Sequence, residues 1–292
     1  MADNSRSRII ALTMSLPASV RLSDAAPSYP VFEIDHPTCV ARVALHGAHV
    51  MSWKPVDEDE VLYLSPDAVY KEGKAIRGGI PVCWPWFNAH PTNPEMPSHG
   101  IARTRFWELV EAGESGEGVD LKFEMSEGIW HATLTVKAGA ELEVMLETRN
   151  PNEIPIVVSG ALHSYFAVSD IEQVRVVNLE GADYLDTVGT PTMRKQTVAL
   201  GFGSEVDSIY DSSSSILLVD DLSGRTILIE KSGSPSTVVW NPWVEKAAAF
   251  GDLPDDGYRK FCCIEAAIAN DRAVIVMPGE THVLSTRISV EE

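Results

Sequence analysis

Residues 119–148 read VDLKFEMSEGIWHATLTVKAGAELEVMLET. In the first run Val119, Leu121, Phe123 and Met125 are apolar, and Asp120, Lys122 and Glu124 between them are charged. From Trp130 to Val136 and from Glu141 to Thr148 the same alternation returns, with Ala132, Leu134 and Val136, then Leu142, Val144 and Leu146, as the apolar set. Successive side chains of a strand point to opposite faces, so a period of two marks strands with one face buried. These three runs read as three strands of a β-rich domain.

Outward from that stretch the same pattern recurs. Runs rich in Val, Ile, Leu, Tyr and Phe lie at 29–34, 39–45, 61–64, 156–163, 173–178, 215–220, 226–230, 237–240, 261–267, 273–277 and 280–290. Gly, Pro, Asp, Asn and Ser fill the connections, as in Glu114 to Gly118 and Asp221 to Gly224. Many short strands with turns between them predict an all-β sandwich or barrel. Helical pattern is confined to a turn at 68–71 and a short piece at 244–249. No internal repeat and no low-complexity linker is present, which predicts one domain across residues 1–292 with a loose end up to about Ser7.

The chain has 292 residues and is 45% hydrophobic, enough for a sizeable core. Its 42 acidic residues outnumber 23 Lys and Arg, a formal net charge of −19. Such a field repels nucleic acid and anionic membranes, so neither is an expected partner. Any anionic ligand must be held by local cations. Cys39, Cys83, Cys262 and Cys263 show no zinc spacing, and neighbouring Cys262 and Cys263 make no ordinary disulfide; free thiols in a reducing compartment, the cytoplasm, are the expectation. The segment Ile9 to Val20 is too interrupted by Thr, Ser and Pro for a signal peptide. No window approaches a spanning helix.

One stretch is poor in strand pattern and rich in chemistry: 76–109, IRGGIPVCWPWFNAHPTNPEMPSHGIARTRFWEL. Arginine forks, imidazoles and indoles around Gly and Pro turns suit an anionic, hydroxyl-rich small molecule such as a sugar phosphate. Arg77 precedes two glycines that would let the backbone approach a ligand. His99 and Arg103 are an even number of residues apart and would share a face of extended backbone, as would Arg105. His163 ends an apolar run, where a core histidine is the commoner reading. Glu265, in FCCIEAAI, is the sharpest anomaly, because a carboxylate in an apolar strand is costly unless paired. Asp207, near an apolar-aromatic pair, reads as a turn residue or as an acceptor for sugar hydroxyls. Trp240, in WNPW, is either core or a pocket wall. His46 and His49 form HGAH without a third metal ligand nearby. No nucleotide phosphate loop, G-x-S-x-G elbow or H-E-x-x-H is present.

Taken in order, RGGIPVCWPWF (77–87), HGIAR (99–103), LHSYF (162–166), EVDSIY (205–210), WNPW (240–243) and CCIEAA (262–267) resemble the aldose 1-epimerase-like proteins, and within them the hexose-6-phosphate mutarotases. The resemblance spans about Val31 to Ile288. It implies a β-supersandwich of large antiparallel sheets of the galactose mutarotase-like type, with a substrate groove on one face. It implies His163 as general acid and Glu265 as general base. Arg77, Ser98, His99, Arg103, Asp207 and Trp240 would contact the substrate, although Ser98 departs from the larger polar residue usual before the histidine. The implied reaction is anomer exchange of a hexose 6-phosphate, glucose 6-phosphate first, by acid–base ring opening with no cofactor or metal. That chemistry predicts a charged His163 and an ionised Glu265 near neutral pH, each stabilising the other, and a bell-shaped pH profile. The alternatives are an epimerase for unphosphorylated sugars and a non-catalytic sugar-phosphate-binding module. A monomer is expected from family habit and net charge.

Overall fold

The computed structural model describes residues 16–291. The expected loose end before Ser7 lies outside them, as does most of the segment Ile9 to Val20.

The opening stretch forms three long strands, Gly118–Glu127, Trp130–Gly139 and Leu142–Arg149. Their register pairs Leu121 with Val136 and Phe123 with Leu134, and then Val136 with Val144 and Leu134 with Leu146. All of these are buried, so the alternating pattern builds one continuous apolar face. The meander belongs to a nine-stranded antiparallel sheet that continues through Thr281–Glu291 to Arg225–Ser232, Ile216–Asp220 and Val174–Val177. A four-stranded sheet from Val20–Asp24 to His49–Pro55 covers part of it; Phe32 meets Phe123 at 5.8 Å, and Trp53 donates to the Gly139 carbonyl at 3.0 Å.

The second large sheet carries the chemistry. Its eight strands run from Thr192–Lys195 and Asp183–Asp186 through Val206–Tyr210 and Ser236–Asn241 to Phe261–Ile268. Beyond that strand come two short ones, Gly160–Leu162 and Tyr165–Ala167, both paired with Phe261–Ile268, and then Val82–Cys83. One apolar cluster joins residues of both large sheets, from Val20 to Ile288. This is the predicted all-β supersandwich. Its one described α-helix, Trp243–Ala248, lies where the second helical expectation fell.

Three expectations need correction. The run 156–163 is not one strand. Ile156–Val158 pairs with Val274–Val276 in a separate two-stranded sheet, Ser159 switches sheets, and Gly160–Leu162 joins the large one. The run 61–64 makes only isolated bridges, Leu62 to Phe166 and Leu64 to Gly78, and residues 68–71 form no helical turn.

Candidate active site

All eight residues of Phe261–Ile268 are buried, so this strand is covered on both faces. Alternation places Phe261, Cys263, Glu265 and Ala267 on one of them. Across it, the hydrogen-bond ladder is interrupted: Leu162 opposes Ala266 and Tyr165 opposes Cys263, which leaves His163 and Ser164 in the gap. The gap closes through a tight turn, with the Ser164 amide on the Leu162 carbonyl at 2.9 Å, while the His163 amide is held by the Pro81 carbonyl at 3.0 Å. The break turns the histidine toward Glu265, and His163 Nε2 comes to 3.4 Å from Glu265 Oε1.

Neighbouring strands add to the same face. Asp207, Trp240, Cys263 and Tyr165 are directly opposed in sequence across four strands and form one rung. Val238 opposes Glu265 on the next rung. Asp207 is therefore a strand residue, not a turn residue. A cavity of about 380 Å³ opens over this face, lined by His163, Glu265, Arg77, Ser98, His99, Arg103, Asp207 and Trp240 among others. The resemblance assigned these eight to one substrate site. The fold brings them together.

The Arg77-Gly78-Gly79 turn works differently from the expectation. Its glycines have φ of +106° and +63°, and a Cβ on either would lie 2.4 Å from the Tyr63 carbonyl oxygen or 2.2 Å from that of Val50. They allow close approach to neighbouring backbone, not to a ligand. Arg77 leaves this turn to donate to Asp252 at 3.1 Å and to the Tyr165 hydroxyl at 3.2 Å, its guanidinium 4.3 Å over the Phe250 ring. His49 is a support for the same turn, donating from Nε2 to the Gly78 carbonyl at 2.8 Å. His46 bonds Tyr29 and the Gly73 amide. Among the described residues no group of three or more His, Cys, Asp or Glu is placed to hold a metal ion.

His99 and Arg103 share the pocket for a reason other than extended backbone. His99 has φ of +63°, and its amide bonds the Asn88 carbonyl at 2.8 Å while the Asn88 amide reaches its Nδ1 at 3.3 Å. That leaves the proton on Nε2. A 3₁₀ turn, Ala102–Thr104, then swings Arg103 inward, where Nη2 donates to the Ser98 carbonyl at 3.0 Å. Arg105 departs outward to Glu127 at 3.0 Å and takes no part in the site. Ser98 thus contributes its backbone carbonyl to the hold on Arg103.

Sequence reading missed Lys246, Asp252, Tyr165, Phe250 and Asn88 as pocket residues. Lys246 pairs with Glu205 at 2.8 Å and Asp207 at 3.8 Å. It and Phe250 sit on or just beyond the short helix that Asn241 launches by accepting the Trp243 amide at 2.9 Å. Only the tertiary fold carries that segment over the sheet.

The electrostatics of the pocket oppose the charged forms of the pair. Burial, then His99, Arg103 and Arg77, hold the His163 imidazole well below its ordinary pKa. Burial, then Asp207, push the Glu265 carboxyl well above its own, against Arg103. Burial thus works against the charged form of each partner, with Glu265 1% exposed and His163 8%. Burial and Arg103 bring His99 down to about 3, so it is neutral at pH 7. Three buried polar atoms in this one cavity lack partners: His163 Nδ1, Glu265 Oε2 and Arg103 Nε. Buried polar atoms left unpaired are costly, and a polar ligand would satisfy them.

A β-sandwich with a polar pocket on one sheet face, where a buried histidine meets a buried glutamate beside arginines, defines the class of fold and site. The profile of the Aldose 1-epimerase family matches residues 30–289, and the chain belongs to that family, among the isomerases of carbohydrate metabolism. A protein of Escherichia coli (strain K12), named as a candidate glucose-6-phosphate 1-epimerase, is 35% identical over 260 residues, covering 85% of this chain and 86% of the relative. One of Salmonella typhimurium with the same name is 38% identical over 251 residues, 81% of this chain and 82% of its own. A crystal structure titled as a candidate mutarotase from Salmonella typhimurium superposes with a TM-score of 0.88 at 31% identity, over 97% of this chain and 99% of that one. No described helix is long and apolar enough to cross a membrane.

Proposed function

We propose that the protein exchanges the α and β anomers of a hexose 6-phosphate, glucose 6-phosphate first, with His163 and Glu265 as the proton-transfer pair. The observation that carries this reading is Arg103. It enters the pocket of the acid–base pair with Nε unbonded, and among the described residues it pairs with no carboxylate. A neutral sugar would leave that charge uncompensated, whereas a phosphate dianion would satisfy it. Arg77 already has Asp252, and Lys246 has Glu205 and Asp207, so the two flank the anion without unpaired charge of their own. The names of the relatives from Escherichia coli and Salmonella typhimurium agree.

Anomer exchange needs one proton off O1 and one onto the ring oxygen. Glu265 as carboxylate takes the O1 proton, the O1–H electrons form the carbonyl, the C1–O5 bond breaks, and His163 as imidazolium protonates O5. Rotation about C1–C2 presents the other carbonyl face, and the same two groups return the protons as the ring closes. In this reading Asp207 and the Nε2–H of His99 hold ring hydroxyls, and Trp240, which lines the same cavity, gives an apolar floor. The 3.4 Å between His163 and Glu265 is long for a direct hydrogen bond. Such looseness is common before substrate binds.

The test is exchange NMR on glucose 6-phosphate, with glucose and galactose alongside in phosphate-free buffer. Fast protein-dependent exchange of the phosphate ester alone is expected. Equal acceleration of the free sugars would make it a general aldose epimerase, and acceleration of none would leave a binding module.

A further inference from the structure

Among the described residues Arg77, Arg103 and Lys246 are the Lys and Arg side chains that line the pocket, and they are held in different ways. Arg77 is fixed on three sides, by Asp252, by the Tyr165 hydroxyl and by the Phe250 ring, and its side chain is 21% exposed. Arg103 is tied through Nη2 to the Ser98 carbonyl. The ammonium of Lys246 rests on two carboxylates, Glu205 at 2.8 Å and Asp207 at 3.8 Å, and its side chain is 42% exposed.

Those two carboxylates differ in place. Asp207 belongs to the pocket lining, and Glu205, two residues earlier in the chain, does not. The shorter contact therefore holds a pocket lysine on a residue outside the pocket. The rest of the anion wall is close by. Lys246 lies in the helix Trp243–Ala248, and the turn after it bonds the Phe250 amide to the Ala247 carbonyl at 3.0 Å. That sets Lys246 about one helical turn before Phe250, the ring that carries the Arg77 guanidinium at 4.3 Å.

A lysine can change partner without moving its helix, since its stem is flexible and its three donors rotate. A part-exposed ion pair contributes at most about fivefold to an equilibrium. A phosphate brings up to about two negative charges and three acceptor oxygens, more than one carboxylate offers. Exchange of Glu205 for a phosphate is therefore favourable for Lys246, whereas Arg77 would have to leave buried partners to do the same.

We propose that Glu205 sets the affinity for the substrate's phosphate by holding Lys246 as an exchangeable cation, which the phosphate takes from it. Glu205 is a positioning residue, acting through Lys246 from outside the pocket. The inference rests on the hexose 6-phosphate reading given above.

The experiment compares the full chain with Glu205→Gln, Lys246→Met and the double variant by exchange NMR on glucose 6-phosphate. Salt is kept at about 0.15 M, where the bare field of an exposed charge is largely screened. Glu205→Gln releases the lysine, so KM should fall by about two- to fivefold with kcat nearly unchanged. Lys246→Met should raise KM, and adding Glu205→Gln to it should move KM far less than in the parent. A merely structural loss would lower the active fraction and leave KM where it is. An unchanged KM in either single variant overturns the proposal. A raised KM in Glu205→Gln does so too, because the freed ammonium would then have turned to Asp207. An equal fall with and without Lys246 also overturns it, since Glu205 would act only as a repelling charge. Calorimetric titration with glucose 6-phosphate keeps the two readings apart. If the parent shows no anomer exchange, yet Glu205→Gln tightens binding only when Lys246 is present, the mutarotase reading falls and the proposal stands. Neither exchange nor binding overturns both.

Discussion

The ring of Tyr165 lies on the ring of His163, with centroids 5.0 Å apart and planes within 15°. Its hydroxyl accepts from Arg77 Nη1 at 3.2 Å, so one tyrosine ties the proton-transfer histidine to a cation of the anion wall. Tyr165→Phe keeps the stack and removes one bond to Arg77, which Asp252 still holds. A hydrogen bond worth about 0.5–1.5 kcal/mol predicts a KM for glucose 6-phosphate raised by about 2- to 12-fold with kcat nearly unchanged. Tyr165→Ala frees the imidazole and should lower kcat more than it raises KM. Steady-state kinetics of the two variants separate these roles.

The arginines should not be equivalent. Arg103→Ala removes an unpaired cation, and a lost charged hydrogen bond of about 1.5–3 kcal/mol predicts a fall in kcat/KM for glucose 6-phosphate of about 10- to 150-fold, with glucose affected far less. Arg77→Ala removes a cation and also strands Asp252 beside the incoming phosphate, so its loss should be the larger. Asp252→Ala in the Arg77→Ala background should then recover part of the activity. A double-mutant cycle on kcat/KM measures that coupling, and an additive result would place the phosphate away from Asp252.

Much of this was legible in the sequence. The meander of 119–148 was readable because each strand is covered on one face, and its period of two survives in the residues. Phe261–Ile268 shows no alternation because it is covered on both, yet that is why Glu265 stood out. The strand break at Ser159 and the turn at His163 were missed, since Ser159-Gly160 between the apolar Ile156–Val158 and Ala161-Leu162 was read through, while the two halves serve different sheets. His99 and Arg103 were joined by a parity argument that the left-handed backbone and 3₁₀ turn make irrelevant. Lys246 and Asp252 gave no local signal, because only long-range packing brings their segment to the pocket. The depth of burial around the pair was likewise hidden, since cover on both sides of Glu265 is a property of the sandwich.

The burial of the pair changes what a pH profile reports. kcat/KM follows the free enzyme, and the working pair holds one proton. On the acid side that form is lost when His163 takes a second proton, which its lowered pKa delays to below the ordinary 6.5. On the alkaline side it is lost when Glu265 gives up its proton, which its raised pKa delays to above the ordinary 4.5. The bell should therefore have an acid limb owned by the histidine and an alkaline limb owned by the glutamate. Glu265→Gln should lose the alkaline limb and His163→Asn the pair's contribution to the acid one, each with activity reduced by about 10²–10⁴-fold. The sugar phosphate's own second ionisation, near ~6, adds to the acid limb of every variant, so the difference between variants is the readout.

Lys231 should set the pH dependence of stability near and above neutrality. Its ammonium donates to the Ser212 carbonyl at 2.9 Å and to the Thr237 hydroxyl, and among the described residues no carboxylate pairs with it. Burial lowers its pKa to about 8 in the folded protein. The unfolded value is about 10.4, so between the two the unfolded chain binds more protons, and stability rises with pH across that window. Below about pH 8 the full cost of charging a desolvated amine is present, on the order of 3 kcal/mol for a shift of this size. Lys231→Met keeps the apolar stem and removes the charge, while Thr237 Oγ1 still donates to the Ser212 carbonyl at 3.0 Å. The variant should be more stable than the parent at pH 7 by about 1–3 kcal/mol, since lost hydrogen bonds offset part of the gain. It should also lack the parent's rise between pH 8 and 9.5. Urea unfolding at pH 7, 8 and 9.5 checks both, and parallel curves for the two proteins would show that the ammonium is solvated.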